Sequence, residues 1–450
     1  MSAIALVLAR AGHHVSGSDA HDGPNLAVLT GAGVDVAVGH DARAVRGAEV
    51  VVASSAVPAD NVEVSAALAA GLPVLSRREF LPAMAACQPL LSVTGTHGKT
   101  TTSSMLAVAL KATGTPISWL IGAPVPSLGS SAEYNEGPWM VLEADESDGS
   151  FMAGPREGAV VTNLEADHLE YWGDWDSLRR AFAEFVDGTD GPVVICADDP
   201  GSAVLAEARR DGGANVTYGT GDVDYAVADL RVSGRWSLFD LVAPSGRYPV
   251  RLLLPGRHNA LNAAGALALV SELGLDLSSA IEGLTTHTGV QRRFERRGSA
   301  GGVEVVDDYA HLPSEVVAAL EAGSASTEGR LVVVFQPHRY SRTQALWAEF
   351  AESFDAADVL VLTDIYPAGE TAREGVSGKL IHDAVAARSR VLGSSPTPLW
   401  APTLEEVAAM LDEVLVEGDL LMTVGAGDVR DVGDMVLAAR GALVQGDGTP

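Results

Sequence analysis

Apolar residues recur along this chain in two rhythms, short unbroken runs of four or five and longer stretches at helical spacing. The first rhythm predicts buried strands and the second predicts helices packed on them. Near the start, the spacing predicts a helix over Ser2–Ala11, a strand over His14–Gly17 and a buried strand over Val50–Ala53. A helix over Val62–Ala70 and a short strand over Leu72–Leu75 follow. From Pro89 the pattern restarts with a strand over Leu90–Val93 and a helix over Thr100–Ala112, where Met105/Ala109 and Leu106/Leu110 share a face. Strands are expected at Trp139–Leu142, Ala159–Thr162 and Val193–Cys196, then an antiparallel meander over Tyr225–Val232, Trp236–Val242 and Tyr248–Leu254, and a helix over Ala260–Leu273. Beyond Gln291, strands at Val303–Val306, Leu331–Phe335, Val359–Leu362 and Leu420–Val424 alternate with helices. Strand–helix alternation of this kind is the mark of α/β domains with largely parallel sheets. Three domains in series are expected, over residues 1–88, 89–290 and 291–450, with only Gln445–Pro450 as a frayed tail. The first opens in a helix, whereas a Rossmann-type unit begins one strand earlier with a glycine-rich turn, so it reads as truncated.

Composition narrows the class. Apolar content of 47% and charged content of 20% in 450 residues suit a globular protein. No apolar run reaches the ~18 residues that span a bilayer, and the basic leader of a signal peptide is missing. Neither Cys87 nor Cys196 has metal or disulfide spacing, which predicts two free thiols in a reducing cytoplasm. A net charge of −29 argues against nucleic-acid partners and against anionic membranes. Only three of the 30 basic residues are lysines, Lys99, Lys111 and Lys379.

One of those lysines marks the clearest chemistry. In Gly95-Thr-His-Gly-Lys-Thr-Thr101 a predicted strand enters a glycine turn that opens a helix. Two glycines let the backbone aim its N–H groups at one point, and the helix adds its positive end. Lys99 supplies a compact charge and the Thr100 hydroxyl a ligand for Mg²⁺. The spacing differs from the strict phosphate loop, which has a glycine where Val93 stands. Glu143 ends a strand, where open α/β sheets place ligand sites, and hard Mg²⁺ takes such oxygen ligands. Asp145, Glu146 and Asp148 in the same run suit a solvated acidic face. His168 follows another strand end, where a single histidine is more often structural than a ligand. In the last third, Asp307–His311 and Gln336–Thr343 each follow a strand, and the forks of Arg339 and Arg342 suit carboxylate or phosphate. Two charged groups at strand ends suggest one substrate cleft.

Taken together, Gly95–Thr101, Glu143–Asp148, Asp167-His168, Arg257-His-Asn-Ala-Leu-Asn262, Arg292-Arg-Phe294 and Asp307–His311 resemble, in this order, the motifs of the Mur ligases. These are ATP-dependent enzymes of peptidoglycan precursor synthesis. Within the family, Gln336–Thr343 is similar to the branch that joins L-alanine to UDP-N-acetylmuramate. The resemblance runs from Met1 to about Arg430. It implies a UDP-substrate domain, a central ATPase domain with a mixed sheet, and a Rossmann-like C-terminal domain. It further implies that Gly95, Thr96, His97, Gly98, Lys99, Thr100, Thr101, Asn259, Asn262, Arg293 and Asp308 bind ATP, with the two asparagines on the adenine side. Thr100, Glu143 and His168 would hold Mg²⁺. Lys99, His168, His311, Arg339 and Arg342 would serve catalysis, and both arginines the substrates. Asp19, His40, Ser54, Ser55 and Asn61 would surround the UDP group. A cytoplasmic monomer or homodimer without membrane insertion is the corresponding expectation.

Three departures stand out. Leu312 occupies the place of a second histidine common in the family. The N-terminal strand and glycine-rich turn are not found, as expected if the start codon is mis-set. No lysine lies between Lys111 and Lys379, so the carbamylated lysine of some relatives has no counterpart. Two other readings are open: a murein tripeptide recycling ligase, and a nucleotide-binding paralogue without catalysis.

Overall fold

The computed structural model describes residues 1–54, 56–207, 215–393 and 396–441. Ser55 and the expected tail Gln445–Pro450 lie outside these residues. The chain divides into two compact units. The first holds Met1–Ala228, Asp240–Val250 and Leu261–His287; the second holds Asp229–Phe239, Arg251–Ala260 and the chain from Thr288 onward.

In the first unit, β1 (Ser16–Asp19) pairs in parallel with β2 (Asp35–Val38), and β3 (Val51–Ala53) with β4 (Val74–Ser76). Among the described residues of this region the expected doubly wound sheet is thus two separate parallel pairs. The strand expected at His14–Gly17 begins two residues later, at Ser16. Apolar residues of the helices Ser2–Arg10 and Arg77–Cys87 share one core with the central sheet: Ile4, Leu6, Val7, Phe80 and Met84 pack with Leu90, Leu120 and Met140.

That sheet contains β5 (Leu90–Thr94), β6 (Ile117–Leu120), β7 (Ala132–Glu133), β8 (Trp139–Glu143), β9 (Arg156–Val161), β10 (Val193–Cys196) and β11 (Val216–Gly219). Their order is β11-β10-β9-β5-β8-β6-β7, and all pair in parallel except β7. β5 is fully buried, Ser92 and Thr94 included, as suits a strand covered on both faces. The helix Lys99–Ala112 buries every residue from Thr101 to Leu110, so it lies inside the unit and not on its rim. β12 (Tyr225–Ser233), β13 (Trp236–Ala243), β14 (Gly246–Leu252) and the helix Arg257–Glu272 complete the segment.

The second unit holds a six-stranded sheet of β15 (Glu295–Ala300), β16 (Val303–Asp308), β17 (Leu331–Phe335), β18 (Val359–Leu362), β19 (Leu399–Trp400) and β20 (Leu420–Val424). The order is β15-β16-β20-β17-β18-β19, with only β15 antiparallel. Alternation along β17 sends Leu331, Val333 and Phe335 into one core and Val332 and Val334 into another, so both faces are covered. Cys87 and Cys196 are free thiols, one exposed and one buried. Among the described residues no helix is long and apolar enough to cross a membrane.

Candidate functional site

In the first unit the site grows from the ends of three neighbouring strands. Parallel register sets Val93 of β5 opposite Glu143 of β8, and Thr94 opposite Val161 of β9. The loop after β5 therefore emerges between Glu143 and the segment Thr162-Asn163. Gly95 has φ 133° and Gly98 φ 78°, conformations that favour glycine. A β-carbon on Gly95 would also collide with Thr162 Oγ1. Asn163 clamps the loop: its carbonyl accepts from Thr96 N at 3.2 Å, its Oδ1 accepts from His97 N at 2.7 Å, and its Nδ2 donates to His97 O at 3.0 Å. Asn262 lies against the turn, since a β-carbon on Gly98 would sit 2.9 Å from Asn262 Oδ1. His97 Nε2 lies 3.2 Å from Glu165 Oε2.

Thr100 and Glu143 meet as the sequence suggests. The Thr100 hydroxyl donates to Glu143 Oε1 at 2.7 Å, and Gly122 N donates to Oε2 at 2.5 Å. A β-carbon on Gly122 would lie 2.8 Å from that carboxylate, so any larger residue there would displace the Glu143 side chain. A hydroxyl and a carboxylate in contact are hard oxygen donors of the kind Mg²⁺ takes while keeping waters and substrate phosphates. Among the described residues no three of His, Cys, Asp and Glu converge as a metal site. His168 has φ 54° and stands at the N-terminus of the short helix Leu169–Trp172, its ring 3.4 Å from Asp167 and 3.7 Å from Glu170.

The acidic run after Glu143 is not the solvated face expected of it. Glu146 is 1% exposed, and its Oε2 accepts from Lys99 Nζ at 2.8 Å. Asp145 Oδ1 lies 3.9 Å from the same ammonium. Burial alone would lower the Lys99 ammonium, but Glu146, Asp145 and Glu143 outweigh it and hold it above its ordinary value. Burial pushes the Glu146 carboxyl up, with Lys99 offsetting part of that rise. Gly149, at φ 69°, and the turn Ser150–Met152 close back on the run, with Gly149 N donating to Glu146 O and Phe151 N to Asp145 O. An acidic cluster facing one of only three lysines was the available signal.

Of the expected UDP residues, His40 and Asn61 lie at Glu63, a residue not singled out from the sequence, whereas Asp19 and Ser54 bond elsewhere. Ser18 Oγ donates to Glu63 Oε2 at 2.7 Å and lies 3.0 Å from His40 Nδ1, while Asp41 N donates to Oε1 at 3.0 Å. Asn61 caps the helix Val62–Ala69 by accepting from Glu63 N at 2.8 Å. Asp19 accepts from His21 N, and Ser54 Oγ from Ala56 N.

In the second unit, register levels the ends of β16, β20 and β17 at Asp308, Val424 and Phe335. Asp308 spends both oxygens on backbone, accepting from Phe294 N and Ala310 N at 2.8 Å each, and burial raises its pKa to about 6. Asn259 Nδ2 donates to Pro255 O at 2.8 Å. Arg293 stacks on Tyr309 and lies 3.7 Å from Glu315. Arg292 cradles the next loop, donating to Gly425 O at 2.8 Å and Gly427 O at 2.9 Å.

Around this rim His311, His338 and Tyr366 form a chain of rings, with centroids 5.8 Å apart at each step. Arg342 Nη1 lies 3.1 Å from His338 Nδ1. Burial, with His311, Arg342 and Arg339 nearby, lowers His338 to about 4, so at neutral pH its ring accepts from that guanidinium. Arg339 has φ 70°, a strained backbone for a non-glycine residue, and its buried Nε has no hydrogen-bond partner. Leu312 is buried, and Glu315 accepts from both His311 N and Leu312 N to start the helix Pro313–Ser326.

Sequence and structure comparisons show what the chain is similar to. Residues 1–88 match the Mur ligase family catalytic domain, 93–270 the Mur ligase middle domain, and 292–427 the Mur ligase glutamate ligase domain. The UDP-N-acetylmuramate–L-alanine ligase of Paenarthrobacter aurescens is 43% identical over 98% of this chain and 95% of its own length. That of Rubrobacter xylanophilus is 41% identical over 97% of each. The crystal structure of UDP-N-acetylmuramate-alanine ligase from Thermotoga maritima superimposes with a TM-score of 0.81 at 28% identity, covering 98% of this chain and 96% of that one. With three family domains in succession and full-length relatives above 40% identity, the chain belongs to the Mur ligase family.

Proposed function

We propose that this protein joins L-alanine to UDP-N-acetylmuramate with the hydrolysis of ATP to ADP and phosphate, a step of peptidoglycan precursor synthesis in the cytoplasm. The observation that carries the reading is the convergence of Lys99, Thr100 and Glu143 at a two-glycine loop opening a helix. The full-length similarity to relatives named UDP-N-acetylmuramate–L-alanine ligase supplies the substrates.

The chemistry has two displacements. The lactyl carboxylate of UDP-N-acetylmuramate attacks the γ-phosphorus of ATP, the bond to the β-bridging oxygen breaks, and ADP leaves with an acyl phosphate formed. The amine of alanine then attacks the acyl carbon, phosphate leaves, and an amide results after loss of the amine's proton. Phosphoryl transfer asks for positioning and charge neutralisation more than for covalent help. The loop N–H groups and Lys99 supply both to the β- and γ-phosphates. Thr100 and Glu143, with His168, are the residues assigned to Mg²⁺. When bound, that ion neutralises charge on the phosphate oxygens. In the second unit the forks of Arg339 and Arg342 take the alanine carboxylate, and His338 orients Arg342 through its Nδ1. The Ser18, His40, Glu63 and Asn61 cluster is assigned to the UDP group, with Asp19 and Ser54.

Phosphate release measured with UDP-N-acetylmuramate, with and without L-alanine, tests the proposal. Turnover that needs both substrates is expected. Turnover with a murein tripeptide in place of alanine would favour the recycling reading, and none under any condition would favour a paralogue without catalysis.

A further inference from the structure

Lys99 Nζ lies 2.8 Å from Gly95 O, 3.1 Å from Thr96 O and 2.8 Å from Glu146 Oε2. An ammonium has three N–H donors, so these three acceptors use all of them. Two are carbonyls of the phosphate loop, fixed by the same turn that shapes it. The third belongs to a side chain from the next strand end. For Lys99 to donate to a phosphate oxygen, one of the three bonds must be given up, and the carboxylate is the group that competes in charge.

Glu146 is held where it stands. It is 1% exposed, and its backbone carbonyl accepts from Trp172 Nε1 at 3.0 Å. Its Oε1 is buried without a hydrogen-bond partner, which leaves Lys99 as the side chain that bonds the carboxylate. Drawing the ammonium away strips a buried carboxylate of that partner, and such a group is costly to leave alone.

We propose that Glu146 is a positioning residue that latches Lys99 to the loop and competes with the phosphates of ATP for its ammonium. The latch keeps a buried lysine neutralised and oriented, at the expense of nucleotide affinity. The inference rests on Lys99 engaging phosphate, as assigned above.

Glu146→Gln keeps the shape and removes the charge. With the β,γ-imido analogue of ATP and Mg²⁺, calorimetry on the full chain is expected to give a dissociation constant about tenfold lower, or ~1.4 kcal/mol. The KM for ATP falls in step while kcat holds, because the gain applies equally to ground and transition states. Glu146→Asp, which retains charge but reaches less far, gives a smaller gain. Calorimetric stoichiometry counts folded sites, so partial misfolding lowers the site number without imitating tighter binding. Affinity that is unchanged or weaker in both variants overturns the latch, as does a fall in kcat with no fall in KM. Lys99→Met separates the two levels. If it leaves nucleotide affinity intact, the phosphate role of Lys99 fails; if it weakens binding while Glu146→Gln changes nothing, only the latch fails.

Discussion

The Thr100 hydroxyl donates to Glu143 Oε1 at 2.7 Å, tying the first turn of the phosphate helix to the end of the adjacent strand. Glu143→Gln keeps that hydrogen bond and removes the charge a hard cation needs. The expected result is a fall in kcat on the order of 10²-fold, with the Mg²⁺ requirement shifted to higher concentration. A rate series against Mg²⁺ concentration checks both. Thr100→Ser, which retains the hydroxyl, should keep most of the activity.

Arg342 Nη1 lies 3.1 Å from His338 Nδ1, and the planar fork of a guanidinium suits bidentate capture of a carboxylate. Arg342→Ala should raise the KM for L-alanine on the order of tenfold to a hundredfold, the range for losing a charge-assisted contact. The KM for ATP should hold. Equal rises in both constants would place Arg342 outside amino-acid binding.

His287 is fully buried between two hydroxyls, Ser104 Oγ at 3.2 Å and Ser127 Oγ at 3.1 Å. Ser104 donates its own proton to Thr101 O at 2.7 Å, so it accepts from His287 Nε2, and Nδ1 accepts from Ser127. Burial lowers the His287 pKa from 6.5 to about 4. A depressed folded-state pKa means that stability is intact above pH 6.5 and is lost as pH falls toward 4, where the unfolded chain binds the extra proton. The full loss is roughly 3 kcal/mol. Urea titrations at pH 7.5 and pH 5 should show about 2 kcal/mol of it, with a shallower pH slope in His287→Gln.

Arg156 is a buried cation with a structural task. Its guanidinium donates to Thr189 Oγ1 and to the carbonyls of Met152, Gly154, Phe185 and Gly188, and it stacks 4.5 Å over the Phe185 ring. Arg156→Leu leaves several buried carbonyls unpaired. A loss of about 3 kcal/mol or more is expected by denaturant unfolding, with KM values unchanged in the folded fraction.

Much of the strand framework was legible because parallel strands covered on both faces are mostly apolar along their length. Leu331–Phe335, Leu420–Val424 and Val193–Cys196 have the same bounds in sequence pattern and structure. The helix after Ser76 escaped notice because Pro82 lies inside it and its apolar face is short. β15 was missed for a related reason: Glu295–Ala300 is a polar edge strand whose pairing with β16 comes from the partner strand.

The sequence by itself determined the chemistry of the phosphate loop. Gly95, Gly98, Lys99 and Thr100 are neighbours in the chain, so local geometry brings their roles together. It also placed Glu143 and Arg339 at strand ends, where α/β sheets put ligands. Only the tertiary structure decided which distant side chains meet. Glu146 looked like one more solvated acid until the fold buried it on Lys99. The fold likewise brings Asp308 to the backbone N–H groups of Phe294 and Ala310, a pairing the sequence does not announce. Such pairings depend on strand register and on how a loop folds back, which join residues dozens of positions apart and leave no periodic trace in the chain.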